Sequence, residues 1–244
     1  KTNPVSVNIG ERIKPQPCGI PGFLRVDSVH QGDMEKTKGV YYIHFVDEVT
    51  QWDIVVAVEK ISEYFLDKAL KKAFDQFPFG VINFHSDNGS EYINKTVSTL
   101  LKKAYVKQTK SRTRHSNDNA LVEGKNASTL RKQMGHAHIP QKYAPIINMF
   151  CTKHLNPFLN FHRPCAFATN EIDAKGKIRK RYKPDDYQMP VDKLLAIPDV
   201  EKYLKNGATI ETLQNKKFEQ SHFEAAKEVS EARIELFTKI RKKN

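Results

Sequence analysis

An α/β architecture, a mixed five-stranded sheet with helices on its faces, is expected from three features of this 244-residue chain. Short runs rich in β-branched and aromatic residues come early, the hydrophobic period then lengthens from two to between three and four, and strand-like and helix-like stretches alternate thereafter. Residues 1 to 22 carry four prolines and little periodicity, which suits an extended arm across a domain surface. FLRVDSV (23–29), GVYYIHFV (39–46) and WDIVVAV (52–58) read as three consecutive strands. From Ile61 onward Phe65, Ala69, Leu70, Ala73, Phe74 and Phe77 recur at three- and four-residue steps, an amphipathic helix that Pro78 and Gly80 end. VINFH (81–85) reads as a fourth strand, 92–104 as a helix with Val97, Leu100, Leu101 and Ala104 on its apolar face, and YVKQT (105–109) as the fifth strand.

Beyond the polar SRTRHSNDN (111–119), a helix is expected to begin at Ser116 or Asn117, both good N-cap residues, and to run to about Gly135. At 100° per residue Ala120, Glu123, Asn126, Ala127, Leu130 and Met134 share one face, with Lys125 and Lys132 opposite. A further helix from 139 to about 156, apolar at Tyr143, Ile146, Ile147, Phe150 and Leu155, should cover the sheet. EIDAKGKIRKRYK (171–183) places Gly176 between two short runs and suggests a β-hairpin, and 191–206 and 208–241 read as tail helices. The expected organisation is an arm (1–22), a core (23–170), a basic hairpin (171–190) and a helical tail (191–244).

Forty Lys and Arg against 28 Asp and Glu leave a net charge of +12 and a sequence pI near 9.5, which favours a polyanionic partner, nucleic acid before an anionic membrane. No apolar run approaches the roughly 18 residues that span a bilayer, and no charged-then-apolar leader begins the chain, so it reads as soluble and intracellular. Lys1 in place of Met suggests a processed or truncated piece. Cys18, Cys151 and Cys165 lack C-x-x-C spacing, and HAH (136–138) lacks companion ligands, so neither a disulfide framework nor a zinc site is indicated. The HAH run instead suits a helix C-terminus.

Three acids stand where local structure does not favour them. Asp27 lies mid-strand, Asp87 ends a strand in FHSDNGSEY (84–92), and Glu123 sits in an apolar stripe. Turn chemistry explains Asp87 alone, since Asp and Asn-Gly favour turns. A site for hard divalent cations explains all three together, because Mg2+ takes oxygen ligands, and a pair of ions about 3.5–4 Å apart can serve an in-line phosphoryl displacement. Asp47 and Asp53 flank strands, and turn and edge positions account for them. His30, three residues after Asp27, reads as an ordinary strand-end residue, with an approach to metal or DNA as the alternative.

The 35 residues between Asp87 and Glu123 (88–122) and the 59 between Asp27 and Asp87 (28–86) resemble the signature of retroviral-type integrases and integrase-core transposases. HSDNGSEY around Asp87, SRTRHSNDNALVEGKN around Glu123 and RVDSVH around Asp27 are similar to transposases of bacterial insertion sequences, as are the later NFHRP, KGKIRKRY and VDKLLA. The resemblance implies a ribonuclease H-like fold over roughly 23–170. It also implies Asp27, Asp87 and Glu123 as catalytic and metal-binding residues for two Mg2+ or Mn2+ ions, and cutting and joining of DNA. Element ends and target DNA would be the partners, a homo-oligomer would synapse two ends, and the setting would be the bacterial cytoplasm at the nucleoid. Asn119 and Asn126 are expected to orient the Glu123 carboxylate or to touch DNA, with Lys125, Lys132, Lys177, Arg179, Arg181 and Lys183 as DNA contacts.

This sequence departs from the pattern at Gly124, where Gln is often seen, and at Ser116, which replaces a basic residue. Close packing of a strand or of DNA would explain the glycine. The helix-turn-helix region usual ahead of the core does not fit in the first 22 residues, so end recognition is expected outside this chain. A ribonuclease H-like nuclease without joining activity and a domesticated, non-catalytic DNA-binding protein are the alternatives; the presence of all three acids disfavours the second.

Overall fold

The computed structural model describes residues 9–87, 89, 92–174, 176–205 and 207–242. In chain order these form β1 (Glu11–Arg12), β2 (Phe23–His30), a small hairpin of β3 (Asp33–Met34) and β4 (Thr37–Lys38), β5 (Tyr41–Asp47), β6 (Asp53–Val58), α1 (Glu63–Phe74), β7 (Asn83–Ser86), α2 (Lys95–Lys103) and β8 (Lys107–Lys110). A broken helical rod follows: a 3-10 turn (Ser116–Asp118), α3 (Ala120–Lys125), a π-helical stretch (Asn126–Arg131) and α4 (Lys132–Met134). A second rod runs through α5 (Ala144–Phe150), a π-helical stretch (Cys151–Leu155) and α6 (Asn156–Phe161). Then come β9 (Cys165–Ala166), β10 (Thr169–Ile172), β11 (Ile178–Arg181), β12 (Tyr187–Gln188), α7 (Pro190–Leu195), α8 (Ile210–Phe218) and α9 (His222–Lys242).

The main sheet has the order β1-β8-β7-β2-β5-β6. β5 runs antiparallel to β2 and β6, while β7 is parallel to β2 and to β8, as a ribonuclease H-like core requires. The sheet is six-stranded rather than five-stranded because the arm contributes β1, parallel to β8. The arm's prolines and polar residues give no alternating pattern from which a strand could be read; backbone pairing, the burial of Ile9 and a bond from Lys110 Nζ to the Ile9 carbonyl (2.7 Å) fasten it.

Side-chain alternation gives the sheet two different faces. Leu24, Val26, Ile43, Phe45, Ile54, Val56 and Phe84 pack with α1 and α2 residues such as Leu66, Leu70, Val97 and Leu101. On the other face Val29, Tyr42, Val55 and Ala57 meet Leu130, Met134, Ile147, Phe150 and Leu159 from the two rods. Each fully buried side chain of this size contributes about 1.5–3 kcal/mol. Polar residues, Arg25, Asp27, His44 and His85, occupy the middle of that second face, where the first rod crosses.

The free edge of β6 is covered by asparagines of the second rod. Asn148 accepts from Ala57 N (2.8 Å) and donates to Ala57 O (2.6 Å). Asn156 does the same for Val55 (3.1 and 3.2 Å), and Asn160 for Asp53 (2.7 and 2.8 Å).

The tail differs from expectation. The helix expected over 191–206 stops at Leu195, and Asp199 after Pro198 takes a left-handed φ of 52°. The helix expected over 208–241 is two helices, because Ser221 and Glu224 form a reciprocal cap at the start of α9: Ser221 N donates to Glu224 Oε2 (2.8 Å) and Glu224 N to Ser221 Oγ (3.2 Å). Among the described residues no helix is long and apolar enough to cross a membrane.

Candidate active site

Asp27 lies in β2 directly across from His44 in β5. The β2–β7 register ends at Val26↔Ser86, so one further step sets Asp87 abreast of Asp27, on strands about 4.8 Å apart. Asp87 is exposed at the strand end, where its Oδ1 accepts from Gly89 N (2.9 Å), so the turn chemistry read in the sequence is present as well. Glu123 approaches from α3 and is exposed.

Glu123 feels the two aspartates, and Asp27 feels Asp87. Partial burial and then the charges of Asp27 and Asp87 raise the Glu123 carboxyl above its ordinary range. Burial raises Asp27 too; the Asp87 charge adds to it, and hydrogen bonds from the Ser28 backbone and Asn126 act against it. Repulsion of this kind is what a divalent cation offsets, and an all-oxygen donor set suits a hard one. Among the described residues, however, no group of three His, Cys, Asp or Glu side chains is gathered closely enough to hold an ion.

Glu123 and Lys125 exchange the places expected for them. The buried side of the first rod runs through Val122, Lys125, Thr129, Leu130 and Met134, leaving Glu123 on an open flank. The π-helical stretch is the reason: its i→i+5 turns rotate the seam facing the sheet, so a uniform 100° wheel fitted over 120–134 misplaces the first half. Lys125 is therefore not displayed to DNA. Its Nζ lies 3.3 Å from Asp53 Oδ2 and 3.2 Å from Cys165 Sγ, with the side chain only 7% exposed.

Asn126 donates from Nδ2 to Asp27 Oδ2 (2.6 Å), so it engages the first aspartate and not Glu123. Asn119 is buried and donates to the Val26 carbonyl (3.0 Å), tying the start of α3 to β2. His30 stacks on Tyr41 (centroids 4.2 Å apart) with Nε2 3.1 Å from Asp33, occupied at the strand end. A Cβ on Gly124 would meet nothing within 4 Å, so no packing inside the protein demands that glycine. Lys132 is exposed. On the hairpin Arg179 pairs with Asp173 (3.1 Å), and Arg181 and Lys183 pair with Glu171 (3.4 and 3.0 Å).

Asp53 and His44 carry more than a strand-flank reading gave them. Both are fully buried, with His44 Nε2 2.6 Å from Asp53 Oδ1. Burial acts to raise the Asp53 carboxyl, but the charges of His44 and Lys125 outweigh it and hold the group below its ordinary range. The available clue was a charged residue inside the apolar run WDIVVAV, the argument that singled out Asp27.

A mixed sheet of this order flanked by helices has the fold of a ribonuclease H-like core, with Asp27 within one central strand and Asp87 at the end of its neighbour. Residues 23–116 match the family model of the integrase core domain; the match includes Asp27 and Asp87 and ends before Glu123. The chain is also similar to uncharacterized protein y4rM of Sinorhizobium fredii (strain NBRC 101917 / NGR234), 30% identical over 121 residues, 49% of this chain and 35% of that protein. The similarity thus spans about a third of that relative's length.

Proposed function

We propose that this chain is a transposase or integrase of the bacterial insertion-sequence type, which cleaves DNA at the ends of an element and joins the freed 3′-hydroxyl to target DNA. The observation that carries the reading is the approach of Asp27, Asp87 and Glu123 from a strand, a strand end and a helix to one face of an integrase-core sheet, near enough that burial and then the charges of the first two raise the Glu123 carboxyl. These three side chains would hold Mg2+ or Mn2+ after drawing closer together than they stand here. Bound there, such cations supply activation of the attacking oxygen and stabilisation of the leaving oxygen in phosphodiester displacement. Asn126 holds one oxygen of Asp27, so this ligand is oriented before substrate arrives. Asp87 and Glu123 are exposed, leaving the site open to a duplex as wide as DNA. Nothing in this arrangement requires a covalent protein intermediate.

Further parts of the proposal are a homo-oligomer that synapses two ends, residence at the bacterial nucleoid, and a division into arm, core, hairpin and tail at residues 22, 170 and 190. Lys132 and the cations of the hairpin are its candidate phosphate contacts.

Labelled DNA ends incubated with the protein and Mg2+ test the reading. Asp27→Asn, Asp87→Asn and Glu123→Gln should each abolish cleavage and joining, and combinations should cost no more than single changes, since one broken site cannot be broken twice. Near-normal joining by any one variant removes that residue from the site. Wild-type cutting without joining would support the nuclease alternative, and binding without cutting a non-catalytic role.

A further inference from the structure

Behind Asp27 a line of hydrogen bonds runs into the core. Asn126 Nδ2 donates to Asp27 Oδ2 (2.6 Å), which leaves Asn126 Oδ1 as the acceptor facing His44 Nδ1 (2.7 Å). His44 Nε2 faces Asp53 Oδ1 (2.6 Å), and Lys125 Nζ reaches Asp53 Oδ2 (3.3 Å). Both ring nitrogens of His44 thus face side-chain oxygens, and the ring is held from two sides. Asp53 is itself anchored, its backbone N and O both bonded to the Asn160 side chain. The buried Asp53–Lys125 ion pair and His44 thus form one line, which reaches the half-buried Asp27 at its outer end.

Stability alone does not account for such a cluster, because well-packed apolar residues commonly serve a core as well as or better than a buried ion group. What an ion group provides that apolar packing does not is direction. Each bond here fixes the donor or acceptor that the next can present, and the last fixes Asp27. We infer that His44, Asp53 and Lys125 are positioning residues which, through Asn126, lock the Asp27 carboxylate in the orientation that meets a divalent cation. The inference rests on Asp27 being a metal ligand, and it assigns a task to three residues that the acids themselves do not explain.

The test uses the full chain, Mn2+ titrations by calorimetry, and ring N–H resonances of 15N-labelled histidine. Wild type should bind Mn2+, and Asp87→Asn should lose that binding. His44→Gln and Asn126→Ala should each weaken Mn2+ binding by about 10–100-fold, the usual effect of removing a group that orients a ligand. The double variant should bind no more weakly than Asn126→Ala, because both act along one line. A purely structural His44 would lower the melting temperature and leave the affinity of the folded protein unchanged. Asn126→Ala leaves the buried ions paired, so it is available even where His44→Gln does not fold. In wild type Mg2+ should shift the His44 Nδ1–H resonance, and in Asn126→Ala it should not. A folded His44→Gln that keeps Mn2+ affinity within about twofold, or an Nδ1–H resonance indifferent to Mg2+, overturns the positioning role and leaves the metal reading standing. Wild type that binds no Mn2+ overturns the metal reading, and the positioning role with it.

Discussion

Arg112 grips Asp118 with both sides of its guanidinium, Nε to Oδ2 (3.0 Å) and NH2 to Oδ1 (2.8 Å), and its backbone N adds a third bond (3.0 Å) just ahead of the helix that carries Glu123. These bonds hold the Asp118 carboxyl well below the usual carboxylate range. A carboxylate lowered in the folded state contributes stability that is present above its unfolded value, about 4, and lost as pH falls through the folded one. Arg112→Gln should therefore lower the melting temperature at pH 7, and its gap from wild type should close at pH values well below 4. A gap of equal size at pH 7 and at pH 2 would assign the effect to packing. Nothing in SRTRHSND announces this pair, since five residues separate its members and only the folded turn joins them. Asp27 was legible because a charge in mid-strand is expensive. Lys125 was not, because its direction depends on a π-helical stretch that periodicity cannot reveal.

Among the elements, the strands of the core lay within two or three residues of where alternation put them: β2 at Phe23–His30, β6 at Asp53–Val58 and β7 at Asn83–Ser86. Apolar side chains carry the fold there, so the pattern and the structure share a cause. The second rod was expected to cover the sheet, and it does, but the means was not visible: asparagine amides stand in for a neighbouring strand along β6. Asn156→Ala would leave the N–H and C=O of the buried Val55 without these partners. At about 1–3 kcal/mol for each of these two groups, urea unfolding should show a loss of about 2–6 kcal/mol. A loss under about 0.5 kcal/mol would mean that water or a shifted helix replaces the amide. The cap of α9 was readable in principle, because SHFE (221–224) has the spacing of a capping box, yet continuous helical periodicity on both sides concealed the break.

For the molecule as a whole the charge of +12 acts through where its cations lie. Lys125 is spent inside the core, whereas Arg179, Arg181 and Lys183 are exposed on the hairpin in ion pairs with Asp173 and Glu171. Exposed pairs of this kind are worth little, so DNA phosphates can displace them. On the proposed function, Gln at 177, 179, 181 and 183 together should flatten the slope of log K against log salt by roughly 3 to 4 units on duplex DNA. Glu171→Gln should tighten binding by releasing Arg181 and Lys183. An unchanged slope in the fourfold variant would reduce the hairpin to a solubility device and move the search for the DNA-bearing face to Lys132. A mixed sheet with helices on its faces was legible from the succession of elements, while the buried ions behind Asp27 were not, because they join residues from β5, β6 and the first rod. The asparagine-covered margin of β6 also bears on assembly. A chain whose outer strand already has its alternate amides and carbonyls occupied offers no template there for a second chain to extend, and the opposite margin ends in the two-residue β1. On the proposed function, copies brought together on two DNA ends would meet through surfaces other than the edges of the main sheet, and the same closure protects the newly made chain from polymerising through that sheet.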